Sequence, residues 1–185
     1  MDGNNTIQDS FVKPAELLSQ FHLSPGMRVA DFGSGHGYFA VPLAKAVEPD
    51  GMVYALDIQK SALEAIKSTA QMAGVSNVQP SWVNLEAVGG TQLGNESMDF
   101  VILKNVLYQT QKKLEMLKEA KRVLKNGQRI AIVDWRPEKS RGIGPQEGWL
   151  LSSEDIRPLV ESIGFTFEKE LTVDPYHFGF LFIKK

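Results

Sequence analysis

The chain contains no cysteine in its 185 residues. This excludes disulfide-stapled scaffolds, thiolate metal sites and cysteine nucleophiles. Histidine is almost as scarce. His22, His36 and His177 stand at separations that match no metal-ligand spacing, so no metal site is expected and all three read as non-catalytic. No apolar run reaches the roughly 18 residues that a membrane span needs. Met1-Asp2-Gly3-Asn4-Asn5 has neither the basic flank nor the apolar continuation of a secretory leader, and the expectation is a cytoplasmic protein. An excess of either charge is missing too. Formal net charge is −2, so no overall cationic field exists to gather nucleic acid or anionic lipid. Internal repeats and low-complexity tracts are absent.

What remains is ordinary globular material, 43% hydrophobic and 23% charged, in a length that suits one domain. Residues 1–185 are therefore read as a single domain, with 1–12 as a flexible tail and 136–151 as a loop on the substrate side. Short apolar runs alternate with helical patterns. Arg28–Phe32, Met52–Leu56, Met98–Leu103 and Arg129–Trp135 read as strands, the last two apolar enough to be covered on both faces. Ser61 and Glu64 have the spacing of a capping box, and Leu63, Ile66 and Ala70 continue at helical spacing to Gly74. Leu107, Leu114, Leu117 and Val123/Leu124 form the apolar stripe of a further helix, which Asn126-Gly127 is expected to end. Ser152 caps a last helix reaching Ile163. Phe165–Val173 and Phe178–Ile183 close the chain, joined at Asp174-Pro175-Tyr176; a connection this short makes them antiparallel. The expected fold is α/β: a doubly wound, mostly parallel sheet of seven strands with a C-terminal antiparallel hairpin.

In such sheets ligands bind beyond the carboxyl ends of the strands. The first strand runs into Asp31-Phe-Gly33-Ser34-Gly35-His-Gly37, where alternating glycines let a ligand lie against the backbone. Asp57 ends the second strand, 24 residues after Gly33, and is placed to accept both hydroxyls of a ribose. A nucleoside cofactor follows. The glycine spacing differs from the dinucleotide fingerprint, and the acid before it would repel a phosphate. A cationic ligand without phosphate suits the loop better.

With these motifs in this order, the chain from about Phe11 to Lys185 resembles the class I S-adenosylmethionine-dependent methyltransferases, which have a Rossmann-like fold. Asp31 to Gly37 is similar to their first motif and Asp57 to their ribose-binding acid. Met98-Asp99-Phe100 through Lys104-Asn105-Val106-Leu107 resembles their fourth-strand motif. Leu124-Lys-Asn126-Gly127 resembles the turn into the fifth strand, and Leu151-Ser152 through Gly164-Phe165 the approach to their closing hairpin. The resemblance implies S-adenosyl-L-methionine as cofactor and methyl transfer to an oxygen, nitrogen or carbon nucleophile of a small-molecule acceptor. It implies that Gly33, Ser34, Gly35 and Gly37 bind the cofactor, that Asp31 helps to hold its amino group, and that Asp57 takes the ribose hydroxyls. Ile58, Asn84 and Leu85 would meet adenine, with Asn84 standing where the family often has an aspartate. Lys104 and Asn105 would flank the methionine part, mainly through backbone.

The acceptor is expected over the strand ends. Asp134 is the candidate base, or else a carboxylate paired with Arg136. Tyr108 reaches the same space, and Trp135, Arg136, Glu147 and Trp149 are candidate acceptor contacts; Trp135 is alternatively a core aromatic. Arsenite methyltransferases use cysteines on the acceptor, so that activity is not expected here. Quinone-pathway methyltransferases also resemble the chain but are generally longer. Three rival readings stand beside this one: a nicotinamide oxidoreductase, a non-catalytic cofactor-binding partner or sensor, and an RNA methyltransferase. The last rests on Lys112, Lys113, Lys118, Lys121, Arg122, Lys125 and Arg129, which are read instead as the solvated face of the amphipathic helix. The Asn-Pro-Pro-aromatic run that acts on base amines is absent after Leu103. Oligomeric state has no signature.

Overall fold

The computed structural model describes residues 12–139, 143–145 and 148–185. Of the expected flexible tail, 1–11 lie outside the described residues, while Val12 is buried in the core. The elements are α1 (Pro14–Leu18), β1 (Arg28–Phe32), α2 (Ala40–Val47), β2 (Met52–Asp57), α3 (Lys60–Met72), β3 (Val78–Trp82) and β4 (Met98–Lys104). A 3₁₀ turn follows over Leu107–Gln109. Then come α4 (Lys113–Val123), β5 (Leu124–Trp135), α5 (Ser153–Ser162), β6 (Phe165–Glu170) and β7 (His177–Lys184).

One seven-stranded sheet has the order β3-β2-β1-β4-β5-β7-β6. Strands β1 to β5 pair in parallel, and β7 runs antiparallel to both β5 and β6. The order reverses between β1 and β4, which opens a crevice at their carboxyl ends. Alternation along the strands feeds two cores. Ala30, Phe32, Val101 and Leu103 pack with Met116 and Leu117 of α4 and Ile156 and Val160 of α5. Val29, Phe100, Ile102 and Val133 pack on the other face with Leu17 of α1 and Leu43 of α2. At about 25 cal/mol per Å² of apolar surface, these two layers supply most of the stabilisation. Both faces of β4 are covered, which is why its sequence is an unbroken apolar run.

Four local expectations need correction. The capping box does not form: Gln59 is the N-cap of α3 without a side-chain bond. Asp57 Oδ1 instead accepts from the Gln59 N–H at 2.9 Å, and Glu64 pairs with Lys67. Leu107 belongs to the 3₁₀ turn and not to α4. That helix ends at Val123, because Leu124 already pairs with Met98. The ladder resumes at Arg129 opposite Phe100, so Asn126-Gly127 forms the intervening irregularity, with Gly127 at φ 76°. The first hairpin strand stops at Glu170 rather than Val173, while the second begins at His177. Ser152 does cap α5, accepting from the Asp155 N–H.

Candidate active site at the carboxyl ends of the strands

The glycine loop is shaped by what its residues approach. A side chain on Gly33 (φ 74°) would drive into Val106, and one on Gly37 (φ 83°) into Ile66 of α3. Gly37 thus serves close packing and lines neither cavity described below. Gly35 (φ 51°) has nothing within 4 Å of its missing side chain, so its backbone is open to a ligand. Asp57 grips this loop across the crevice, its Oδ2 accepting from the Gly35 N–H at 2.8 Å. The carboxylate is buried, 7% exposed, yet each oxygen keeps a lone pair for a further donor.

Two cavities meet at Gly33, Gly35 and Gln109. The first, about 300 Å³, is lined by Asp57, Ile58, Asn84, Leu85, Val106 and Met116, among others. A carboxylate at one end and an apolar slot beyond it match the ribose and base of a nucleoside. The second, about 330 Å³, is lined by Asp31, Ser34, Tyr38, Phe39, Lys104, Asn105 and Tyr108 together with the shared residues and His36. Of the eleven expected cofactor positions, these walls hold all but Gly37.

The second cavity carries groups in need of partners. Asp31 is 3% exposed, and burial raises its carboxyl to about 7, with Lys104 opposing and Asp57 adding to the shift. Burial lowers the Lys104 ammonium, while Asp174, Asp134 and Asp31 oppose that shift. The buried Ser34 Oγ has no hydrogen-bond partner. A ligand with an ammonium and a carboxylate would satisfy these groups at once. S-Adenosylmethionine has both, joined to a nucleoside, and the residues present fit it.

The acceptor-side expectations fare unevenly. Tyr108 lines the second cavity, and burial, then Asp134, raises its phenol. Asp134 does not line either cavity. Its Oδ2 accepts from the Tyr108 N–H at 3.1 Å and its Oδ1 from the Trp135 N–H at 2.8 Å, with the Leu107 N–H also bonded. It is not paired with Arg136, whose Nε donates to the His177 carbonyl at 2.8 Å. Trp135 packs tilted against the His177 ring, 4.1 Å between centroids, and lines neither cavity. Trp149 is 48% exposed, and its N–H donates to the Tyr108 carbonyl at 2.8 Å, so the substrate-side loop returns onto the 3₁₀ turn. Glu147 lies outside the described residues.

Sequence reasoning missed Gln109, which lines both cavities and whose Nε2 donates to the Asn105 carbonyl at 2.6 Å. It missed Tyr38 and Phe39 as well. Their position directly after the glycine loop was the available signal. In the basic cluster Lys118 is solvated as expected, while the other six residues have partners within the chain. Lys112 pairs with Glu86, Arg122 with Glu119, Lys125 with Asp99 and Arg129 with Glu168. Lys113 and Lys121 donate to the carbonyls of Thr110 and Ile163. Glu119 is fully buried; burial pushes its carboxyl up, but bonds from Arg122, Thr91 and Gly89 hold it down to about 2.

Sheet order, glycine loop and paired cavities together define the Rossmann-like class that binds S-adenosylmethionine. A methyltransferase-domain family model matches residues 23–157, and the chain belongs to that family. It is 30% identical over 112 residues to an arsenite methyltransferase of Halobacterium salinarum, a match covering 60% of this chain and 28% of that protein. A demethylmenaquinone methyltransferase of Geobacillus kaustophilus is 28% identical over 112 residues, again 60% of this chain, and 47% of its own length. The chain thus spans less than half of either relative. A solved S-adenosylmethionine-dependent methyltransferase from Aquifex aeolicus superposes with a TM-score of 0.85 at 27% identity, covering 95% of this chain and 92% of that one. Among the described residues, no helix is long and apolar enough to cross a membrane.

Proposed function

We propose that the protein is an S-adenosylmethionine-dependent methyltransferase acting on a small-molecule acceptor that enters over the second cavity. The observation that carries this reading is the junction of the two cavities at Gly33 and Gly35, with a ribose-type carboxylate on one side and the buried Asp31 and half-buried Lys104 on the other. When bound, the cofactor supplies a methyl group on a positively charged sulfur. Asp57 holds the two ribose hydroxyls, and Ile58 and Leu85 pack on the base. Asp31 takes the cofactor's ammonium, while the open backbone of Gly35 admits it. Tyr38, Phe39 and Tyr108 form the wall on which the acceptor aligns and from which water is excluded. An acceptor that arrives as an anion or free amine needs no strong base, so Asp134, turned toward backbone N–H groups, is left with a positioning duty under Tyr108.

A small acceptor is favoured over RNA because six of the seven cations of α4 and its flanks, all but the exposed Lys118, are engaged with partners within the chain. The lack of cysteine argues against arsenite. Calorimetric titration with S-adenosylmethionine, S-adenosylhomocysteine and NAD(H) tests the reading. Saturable binding of the first two alone is expected, and binding of NAD(H) alone would replace it with an oxidoreductase.

A further inference from the structure

His177 is a buried titratable group with no part in the chemistry above. It is the first residue of β7, paired with Trp135 at the end of β5, so it is the point where the antiparallel strand reaches the functional edge. Its side chain is 1% exposed, which rules out contact with an acceptor. Its Nδ1 lies 2.8 Å from both carboxylate oxygens of Asp174, whose side chain is 5% exposed. An ionised carboxylate only accepts, so Nδ1 carries the proton and Nε2 is left with a lone pair. The atom facing Nε2 at 3.1 Å must then be a donor, and it is Nδ2 of Asn105.

The chain of donors fixes which way the Asn105 amide is turned. Asn105 stands at φ 54°, in the left-handed region, at the step from β4 into the 3₁₀ turn. Its Oδ1 is buried without a partner. Neither feature is favourable alone, and an amide free to rotate would relieve the second. Both persist because the side chain is tied to His177. The surroundings keep the ring in its accepting form. Burial lowers its pKa, Asp174 opposes, and Lys104 of β4 adds to the lowering, while Arg136 beyond β5 is occupied with the His177 carbonyl.

We infer that Asp174 and His177 are positioning residues for the cofactor site, acting through Asn105. They lock the left-handed step that sets Lys104, Asn105 and Tyr108 around the second cavity. The inference rests on the cofactor reading proposed above.

A double-mutant cycle read by S-adenosylmethionine titration tests it. His177→Phe keeps an aromatic against Trp135 but cannot accept. Asn105→Gly keeps the left-handed backbone and removes the amide. Each is expected to weaken binding about tenfold, the loss of one hydrogen-bonded restraint. The double variant should lose no more than either single, and His177→Gln, which restores an acceptor, should recover to within about threefold of wild type. Wild-type-like binding by His177→Phe, or additive losses near a hundredfold, would overturn the inference. In the wild type, ¹⁵N spectra should show His177 protonated at Nδ1 and bare at Nε2; the opposite tautomer overturns it whichever variants fold. A wild type that binds no S-adenosylmethionine fails earlier, at the cofactor reading, and takes this role with it.

Discussion

Two carboxylates at the functional edge are built alike and face different ways. Asp57 ends β2 and accepts from the N–H groups of Gly35 and Gln59. Asp134, next to last in β5, accepts from those of Tyr108, Trp135 and Leu107. Both are buried, at 7% and 5% exposure, but of the two only Asp57 lines either of the cavities described above. The segments they hold make the difference. Asp57 grips a glycine loop with no side chain at Gly35 to cover it, so its remaining lone pairs stay open to a ligand. Asp134 grips the turn at Leu107 and Tyr108 through their backbone N–H groups and reaches neither of the two cavities. The two carboxylates thus differ in the backbone they anchor: a bare glycine loop for Asp57, a turn of residues with side chains for Asp134.

The sharpest way to break this contrast is to clothe the bare segment. Gly35→Val puts a branched side chain at φ 51°, in space that only a ligand should fill. We expect at least about a hundredfold loss of S-adenosylmethionine affinity by titration, with circular dichroism unchanged. Normal binding would mean that the loop is only a turn. Asp57→Ala comes next. Removing a charged acceptor costs about 1–3 kcal/mol, or roughly 5- to 150-fold in affinity. Unchanged affinity in a folded variant would remove the ribose assignment.

Asp31 sharpens the contrast from the other direction, since it lines the cavity without a backbone donor among the described residues. Burial raises its carboxyl from 3.8 to about 7. Its stabilising contribution is therefore full below the unfolded value and lost as pH rises through about 7. Asp31→Asn escapes that loss. It should be roughly 1–3 kcal/mol more stable than wild type at pH 8 by urea denaturation, with the gap closing toward pH 5, and it should bind cofactor about tenfold more weakly. Equal stability at both pH values would show that the carboxyl is not strained by burial.

The cofactor half was legible because its signals are contiguous. Gly33, Gly35 and Asp57 sit in short motifs whose spacing alone states a chemistry, and the strands that carry them are plain apolar runs. Partners far apart in sequence account for what was not legible. Glu119 carries no local signal on its amphipathic helix, because Gly89 and Thr91, which hold it, lie about thirty residues away. His177 looked isolated because its partner Asn105 lies 72 residues earlier. The capping box lost to Asp57, a stronger acceptor already committed by β2, and Asn126-Gly127 lost to strand pairing that had begun at Leu124. Local propensity is a weak prior wherever a tertiary partner is already in place.

Asp134→Asn gives the smallest effect on binding and the most direct test of the contrast. An amide offers one acceptor oxygen where the carboxylate has two, and its NH₂ must face a backbone N–H. If the oxygen stays with Trp135, the turn at Leu107 and Tyr108 loses its anchor. The Tyr108 amide should then exchange about ten times faster in hydrogen–deuterium measurements, while cofactor affinity stays within about twofold. The stability cost is also pH-dependent. Burial raises the Asp134 carboxyl from 3.8 to about 6, so its contribution to wild-type stability is present in acid and lost as pH rises through that value. The variant's deficit should therefore be larger at pH 5 than at pH 8. A loss of affinity as large as that of Asp57→Ala would place Asp134 at the cofactor, and the two carboxylates would no longer differ in what they serve.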